Sequence, residues 1–330
     1  MSDIGFCIIG LGMGKVRAAE VEKTSGARLV SVVDLNEQLA RQVGETHHCK
    51  WTTDLDDALQ DDKVDVVLVL TPSGLHADIS IRALEAGKHA ISTKPMEVSL
   101  EQCDRMIVAQ KKSGKLLGVD FEERYKEPNQ LVKNALDQGL LGKPVLAEAR
   151  LKWFRSQAYY DAGGWRGTWK MDGGGALANQ SIHQIDLIQW IMGGARRVWG
   201  RTGTFTHGIE TEDIGNAMIE FESGAMGCIL GTTTFPGDPF AGIEIHGEEG
   251  GFLSTRPEPE WYFLDGLEKR KQELKRITPA RNIVQDAVSA IANGTPLQCD
   301  ALEGRKSVAL LNAIYASARQ DGAPVTLQPE

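Results

Sequence analysis

The chain has 330 residues, of which 42% are hydrophobic and 25% charged, with 36 Gly and 12 Pro, a composition that excludes disordered and collagen-like proteins. With 36 Lys plus Arg against 45 Asp plus Glu, a net charge of -9 and no basic run, it offers no phosphate-tracking surface, so nucleic acid is not an expected partner. The longest apolar run, Val66 to Leu70, falls far short of the ~20 residues that span a bilayer.

The length predicts two domains, each with interior enough to fold without staples. The first, residues 1–122, alternates apolar runs with helical patterns, the rhythm of βαβ units around a parallel sheet. Its expected strands are Ile4–Ile9, Arg28–Asp34, Val64–Leu70, His89–Ser92 and Lys115–Val119. Its expected helices are Val16–Thr24, Glu37–Gly44, Leu55–Leu59, His76–Ala86 and Leu100–Lys112. The continuous Val/Leu run at 66–70 suits a strand buried on both faces. The second domain, 123–330, starts with a helix over Pro128–Gln138, a strand over Val145–Phe154 and a Gly- and Trp-rich loop to Gly175. A helix follows from Ala176 to Met192, then strands over 197–264 with hairpin signals at Glu222-Ser223-Gly224 and Gly247–Gly250. The expected architecture is α/β: a doubly wound Rossmann sheet plus a second domain with a mostly antiparallel sheet. The charged stretch Glu268–Arg276 reads as a solvated linker or exposed helix, and helices over Asn282–Asn293 and Ala301–Gln320 complete the chain.

Cys7, Cys49, Cys103, Cys228 and Cys299 are scattered, with no C-x-x-C pair, and read as the reduced thiols of a cytoplasmic protein. No basic segment precedes the first apolar run, so secretion is not expected. His47-His48-Cys49 lacks distant partners and reads as a surface loop rather than a metal site.

The first strand runs into Gly10-Leu11-Gly12-Met13-Gly14-Lys15 and a helix, the context that gives a glycine motif weight as a pyrophosphate site. The third glycine comes one position earlier than in G-x-G-x-x-G, so a contracted cradle at Gly10, Gly12, Met13 and Gly14 is expected. Asp34 follows about 20 residues later, placed to accept from a ribose 2′-OH. Leu35 and Asn36 supply no Arg for a 2′-phosphate, so NAD is favoured over NADP. Thr71, Pro72 and Ser73, with His76 opening the next helix, put polar groups at the carboxyl end of the sheet. Lys94 joins the same rim.

Asn179, His183 and Asp186 are spaced i, i+4 and i+7, one face of a continuous helix. A histidine there is either a satisfied core residue or the base that takes the hydroxyl proton when an alcohol loses hydride. A lysine near that oxygen stabilises alkoxide character. Aromatic residues cluster with Arg155, Arg166 and Lys170, a composition that suits a pyranose or cyclitol ring as well as it suits a core.

The glycine turn, Thr71-Pro72 with His76, Lys94-Pro95, Trp165-Arg166-Gly167 and the run from Gly173 to Asp186 together resemble the Gfo/Idh/MocA oxidoreductases, the family of glucose–fructose oxidoreductase and inositol dehydrogenase. The resemblance spans nearly the whole chain. It implies a dehydrogenase moving hydride between NAD and a secondary hydroxyl of a sugar, sugar derivative or cyclitol, in a homodimer or homotetramer built on the open sheet. It implies that Lys94 polarises the hydroxyl, that His183 is the acid/base with Asn179 positioning, and that Trp165 and Arg166 reach toward the cofactor. Arg124, Tyr125, Arg155, Tyr159, Asn179 and His183 are the expected substrate residues. Two departures stand out: Thr93 replaces the glutamate usual before the lysine, and Asn179 the aspartate usual four residues before the histidine. The run Asn179-Gln180 looks most like the branch that includes sugar-nucleotide 3-dehydrogenases. With an amide at 179, His183 is expected to be a weaker base unless Asp186 or another carboxylate compensates. Two other readings stay open, a dinucleotide-binding metabolite sensor and a redox-neutral enzyme holding NAD tightly.

Overall fold

In the computed structural model, which describes residues 3–254, 258–274 and 282–328, the N-terminal rhythm becomes β1 (Ile4–Ile9), α1 (Leu11–Lys23), β2 (Ala27–Val33), α2 (Glu37–Thr46), β3 (Lys50–Thr52), α3 (Leu55–Leu59), β4 (Val66–Val69), α4 (His76–Glu85), β5 (His89–Thr93), α5 (Leu100–Ser113) and β6 (Leu117–Asp120). The strands are all parallel, in the order β3-β2-β1-β4-β5-β6, the Rossmann order with its switch point between β1 and β4. Every residue of β4 is buried, as a strand covered on both faces requires. Two differences from expectation have simple causes. Helix α1 starts at Leu11 rather than Val16, taking Gly12 and Gly14 into its first turn despite their low helix propensity. Strand β3 is a three-residue edge strand, too short to leave a periodic signal.

The chain divides into two units, Met1–Phe121 with Arg281–Arg305, and Glu122–Ala280 with Lys306–Glu330. The expected division at residue 122 into two continuous segments is therefore corrected. Residues 281–305, which include α10 (Ile283–Asn293), group with the Rossmann unit. The Val119 amide donates to the Cys299 carbonyl at 3.0 Å, and the Arg305 guanidinium pairs with Asp104 at 2.6 Å.

The second unit contains α6 (Glu127–Asp137), β7 (Pro144–Lys152), α7 (Gln157–Asp161), α8 (Ile182–Met192), β8 (Ala195–Gly203), β9 (Ile214–Phe221), β10 (Met226–Thr232), β11 (Phe240–Gly247), β12 (Gly250–Leu253), β13 (Glu260–Phe263) and α9 (Leu267–Leu274). The C-terminal helix α11 (Ala301–Arg319) and β14 (Val325–Thr326) follow. Its eight strands run β13-β12-β11-β7-β10-β9-β8-β14, antiparallel except for β7 against β10. Both expected hairpins form, β9 with β10 and β11 with β12. Period-two burial divides the faces: Ala217, Ile219 and Phe221 of β9 are buried, while Met218 is 51% exposed. Of the stretch Glu268–Arg276, residues through Leu274 are helical, and 275–276 lie outside the described residues.

The expected single helix over 176–192 is two elements. Ala176–Gln180 is a π-helical turn, in which the Ser181 amide reaches back five residues to the Ala176 carbonyl at 2.9 Å. Helix α8 starts only after it. The extra residue in the turn breaks the α phase between Asn179 and His183, so the i, i+4, i+7 face does not run through Asn179. Such turns recur at functional sites.

Candidate active site

The Rossmann unit presents its turns at the carboxyl ends of β1, β2, β4 and β5. Gly10 has φ 88°, and a Cβ there would lie 2.7 Å from the Leu70 carbonyl oxygen, so only glycine lets the turns after β1 and β4 approach this closely. The Asp34 carboxylate accepts from the Leu11 amide and the Asn36 amide, each at 2.8 Å, which fixes it against the glycine turn. Gly12 has no atom within 4 Å of the Cβ it lacks, and Met13 is 67% exposed, leaving the first turn of α1 open to a ligand. The open first turn and a fixed acidic side chain fit NAD: the α1 amides would hold its pyrophosphate and Asp34 a ribose hydroxyl.

His76 does something other than line that surface. It is fully buried, with Nε2 against the Thr71 carbonyl and Nδ1 against the Pro95 carbonyl, both at 2.9 Å. It ties the turn after β4 to the segment following Lys94, which corrects its expected cofactor contact to a positioning one. Burial is the main cause that holds its pKa below the ordinary value. Ser73 is also buried, while Thr71, Pro72 and Lys94 are partly exposed. Glu97, unrecognised in the sequence, caps α4: its carboxylate accepts from the Ala77 and Val98 amides at 2.8 Å each, and burial raises its pKa.

In the second unit, Arg124 and Asp186 pair with each other in the interior. The guanidinium forms a bidentate pair with the carboxylate, Nε to Oδ2 at 2.8 Å and Nη2 to Oδ1 at 2.7 Å, with both side chains at 0% exposure. The Ser307 hydroxyl donates to Asp186 at 2.6 Å, and Trp190 packs under the guanidinium. Tyr125 is likewise buried. The expected substrate contact of Arg124 is corrected to this pairing, and Asp186, one of the carboxylates open to compensate for Asn179, is engaged by Arg124. The sequence could not show it, because the pair joins positions 62 apart.

A different carboxylate sits at the π turn. Asp172 Oδ1 accepts from the Asn179 amide nitrogen at 2.6 Å, and Oδ2 from the Gly167 amide at 2.8 Å. The Gln180 amide nitrogen donates to the Tyr159 hydroxyl at 2.9 Å and to Asn179 Oδ1 at 3.1 Å, while its Oε1 accepts from Arg155 Nη2 at 2.9 Å. Arg155 lies over the rings of Trp153 and Tyr159, and Arg166 over those of Tyr159 and Trp165. His183, the second residue of α8, is half-buried. Asp172, Gln180 and Tyr159 are thus drawn together with Asn179; the one sequence signal for Asp172 was its place before the triple glycine.

The triple glycine is explained from below. Glu212 accepts from the Gly175 and Leu177 amides at 3.0 and 2.8 Å and from the Tyr315 hydroxyl at 2.9 Å. A Cβ on Gly175 would lie 1.9 Å from the Glu212 carbonyl oxygen, and one on Gly174 2.0 Å from the Tyr315 hydroxyl. Burial pushes the Glu212 carboxyl up from 4.5 to about 7, against the pull of its donors. Because the folded pKa is the higher one, the folded protein binds this proton more tightly. Its contribution is therefore complete below pH about 4.5 and is lost as pH rises toward 7, a loss of about 3 kcal/mol. Glu212→Gln should flatten that part of the stability–pH curve, measured by chemical unfolding across this window; an unchanged slope would mean that Glu212 does not titrate there.

Fold and site together define a dinucleotide-dependent oxidoreductase. The model of the oxidoreductase family with NAD-binding Rossmann fold matches residues 4–121, and that of the GFO/IDH/MocA C-terminal domain matches residues 129–253. The chain belongs to the GFO/IDH/MocA oxidoreductase family, and NAD(H) is its cofactor. It is similar to scyllo-inositol 2-dehydrogenase (NAD(+)) of Bacillus subtilis (strain 168), 29% identical over 260 residues, 75% of this chain and 73% of that protein. It is 27% identical to 1,5-anhydro-D-fructose reductase of Ensifer adhaerens over 241 residues, 70% and 69% of the two chains. Among solved structures, the WlbA dehydrogenase from Bordetella pertussis, in complex with NADH and UDP-GlcNAcA, has a TM-score of 0.91 at 31% identity and covers 100% of this chain and 99% of its own. No helix among the described residues is long and apolar enough to cross a membrane, and all five cysteines are free thiols.

Proposed function

We propose that the protein is an NAD-dependent dehydrogenase that moves hydride between nicotinamide and a secondary hydroxyl of a sugar, sugar derivative or cyclitol. The observation that carries this reading is the Asp172–Asn179–Gln180 network on the turn leading into His183, in a chain whose relatives include an inositol dehydrogenase and a sugar reductase. NAD, when bound, supplies the hydride acceptor. In the oxidative direction His183 takes the hydroxyl proton, and Lys94 stabilises the negative charge that develops on that oxygen. Asn179 positions substrate or imidazole, with its amide fixed by Asp172. The familiar aspartate is replaced here by an amide backed by a carboxylate one hydrogen bond away, so negative charge stays near the site.

Gly10, Gly12, Met13, Gly14, Asp34, Thr71, Pro72, Trp165 and Arg166 complete the proposed cofactor set. A homodimer or homotetramer is proposed on the open sheet, where Met218 and Met226 are 51% and 53% exposed.

The test is the absorbance of reduced nicotinamide formed when purified protein meets NAD or NADP and a panel of free sugars, inositols, glycosides and sugar nucleotides. The expected result is a signal with NAD and one substrate class. Preference for NADP would overturn the role of Asp34. Silence across the panel, with NADH binding intact, would favour the sensor, and copurified NAD that never accumulates reduced would favour the redox-neutral enzyme.

A further inference from the structure

Several half-buried arginines in this chain have carboxylate partners, while Arg197 lies against the Trp199 ring instead. Arg17, Arg150, Arg270 and Arg305, with side chains 16–33% exposed, pair with Asp120, Glu244, Glu249 and Asp104. Arg155 and Arg166 are also half-buried, yet among the described residues neither has a carboxylate within ion-pair distance. This is notable in a chain carrying nine more acidic than basic residues, 45 against 36.

Their surroundings hold them rigidly without neutralising them. The Arg155 guanidinium lies 4.9 Å from the Trp153 ring centre and 5.0 Å from that of Tyr159, and the Arg166 guanidinium 4.7 Å from the same Tyr159 ring. Aromatic faces fix a guanidinium plane and leave its edge for a partner. Of the five N–H groups of Arg155, one reaches Gln180 at 2.9 Å and another makes only a long bond to the Phe154 carbonyl at 3.4 Å. Gln180 is braced in turn by Tyr159 and Asn179, three residues before His183. A cation prepared in this way lacks only a planar or tetrahedral anion.

We propose that Arg155, held against the Tyr159 ring, binds a carboxylate or phosphate group of the substrate, so that this enzyme prefers acidic sugars over their neutral counterparts. Gln180 fixes the guanidinium edge and links it to the turn that carries Asn179. The sugar part of this assignment rests on the dehydrogenase reading above; the anion site is tested by binding alone.

The experiment titrates the NADH-loaded protein, followed by calorimetry, with four matched ligands: a hexose, its uronic acid, its 6-phosphate and its nucleoside diphosphate derivative. The expected result is that at least one anionic ligand binds roughly 10- to 100-fold more tightly than the hexose, with an affinity that falls as salt rises. The uronic acid and phosphate arms identify which anion fits. Arg155→Met should weaken the anionic ligands at least roughly 10-fold more than the hexose, abolishing most of that preference, and Arg155→Lys should retain part of it. Equal affinity for neutral and anionic ligands, or equal weakening of both in Arg155→Met, would overturn the assignment. Anion-selective binding, with no NADH formed when the same ligands meet the protein and NAD, would sustain the anion site and count against the dehydrogenase reading instead.

Discussion

Replacing Lys94 with alanine is expected to lower kcat by at least about 10²-fold, the usual cost of losing one donor to a developing oxyanion, with KM and NADH affinity little changed. The backbone around this lysine is pinned by other groups: the Pro95 carbonyl faces His76 Nδ1 at 2.9 Å, and Met96 and Glu97 are at most 1% exposed. Removing the side chain therefore removes its charge without releasing the turn that carries it. A loss confined to kcat means that the interaction exists only in the transition state, whereas a loss in KM alone would mean uniform binding. Arginine should rescue poorly, because its planar fork does not place a point charge where an ammonium sits. Single-turnover rates of NADH formation check this; a near-normal rate in Lys94→Ala would remove Lys94 from the chemistry.

Asp186→Ala is expected to destabilise the protein by about 3–5 kcal/mol, since it removes the bidentate carboxylate partner of a fully buried guanidinium. Both side chains are at 0% exposure, and the Ser307 hydroxyl loses its acceptor as well. Replacing both members, Arg124→Met with Asp186→Leu, should recover much of the loss, because the penalty belongs to the orphaned charge rather than to the pair. Chemical unfolding of the two variants distinguishes this structural role from a catalytic one. A stable Asp186→Ala protein with reduced kcat would instead restore Asp186 as a partner of His183.

The contrast between Asp34 and Asn179 shows what the sequence carries. The placement of Asp34 was legible because it is set locally: it closes a strand a fixed distance after a glycine turn, and the Leu11 amide bonds to it. Asn179 misled because helical spacing states which residues share a face only while the helix is regular. The π turn at Ala176–Gln180 interrupts that regularity, and no propensity scale marks it. Glu212 and Tyr315, which clamp the glycine run from positions 37 and more than 100 residues away, gave no sequence signal because each is an ordinary residue in its own element. Likewise α10 is plainly an amphipathic helix, yet nothing in its pattern names the unit that its apolar face joins. Local chemistry, namely turns, caps and strand ends, was readable; pairings across long separations were not.

The proposed reaction is hydride transfer from a carbinol carbon of a sugar or cyclitol to NAD. Its most direct test uses the substrate found by the panel, deuterated at that carbon, with mass analysis of the nicotinamide product. The expected result is one deuterium per NADH at C4 of the nicotinamide, with His183→Ala slowed and Lys94→Ala slowed further. Deuterium appearing in solvent with no NADH, or bound NAD that never becomes reduced, would contradict it.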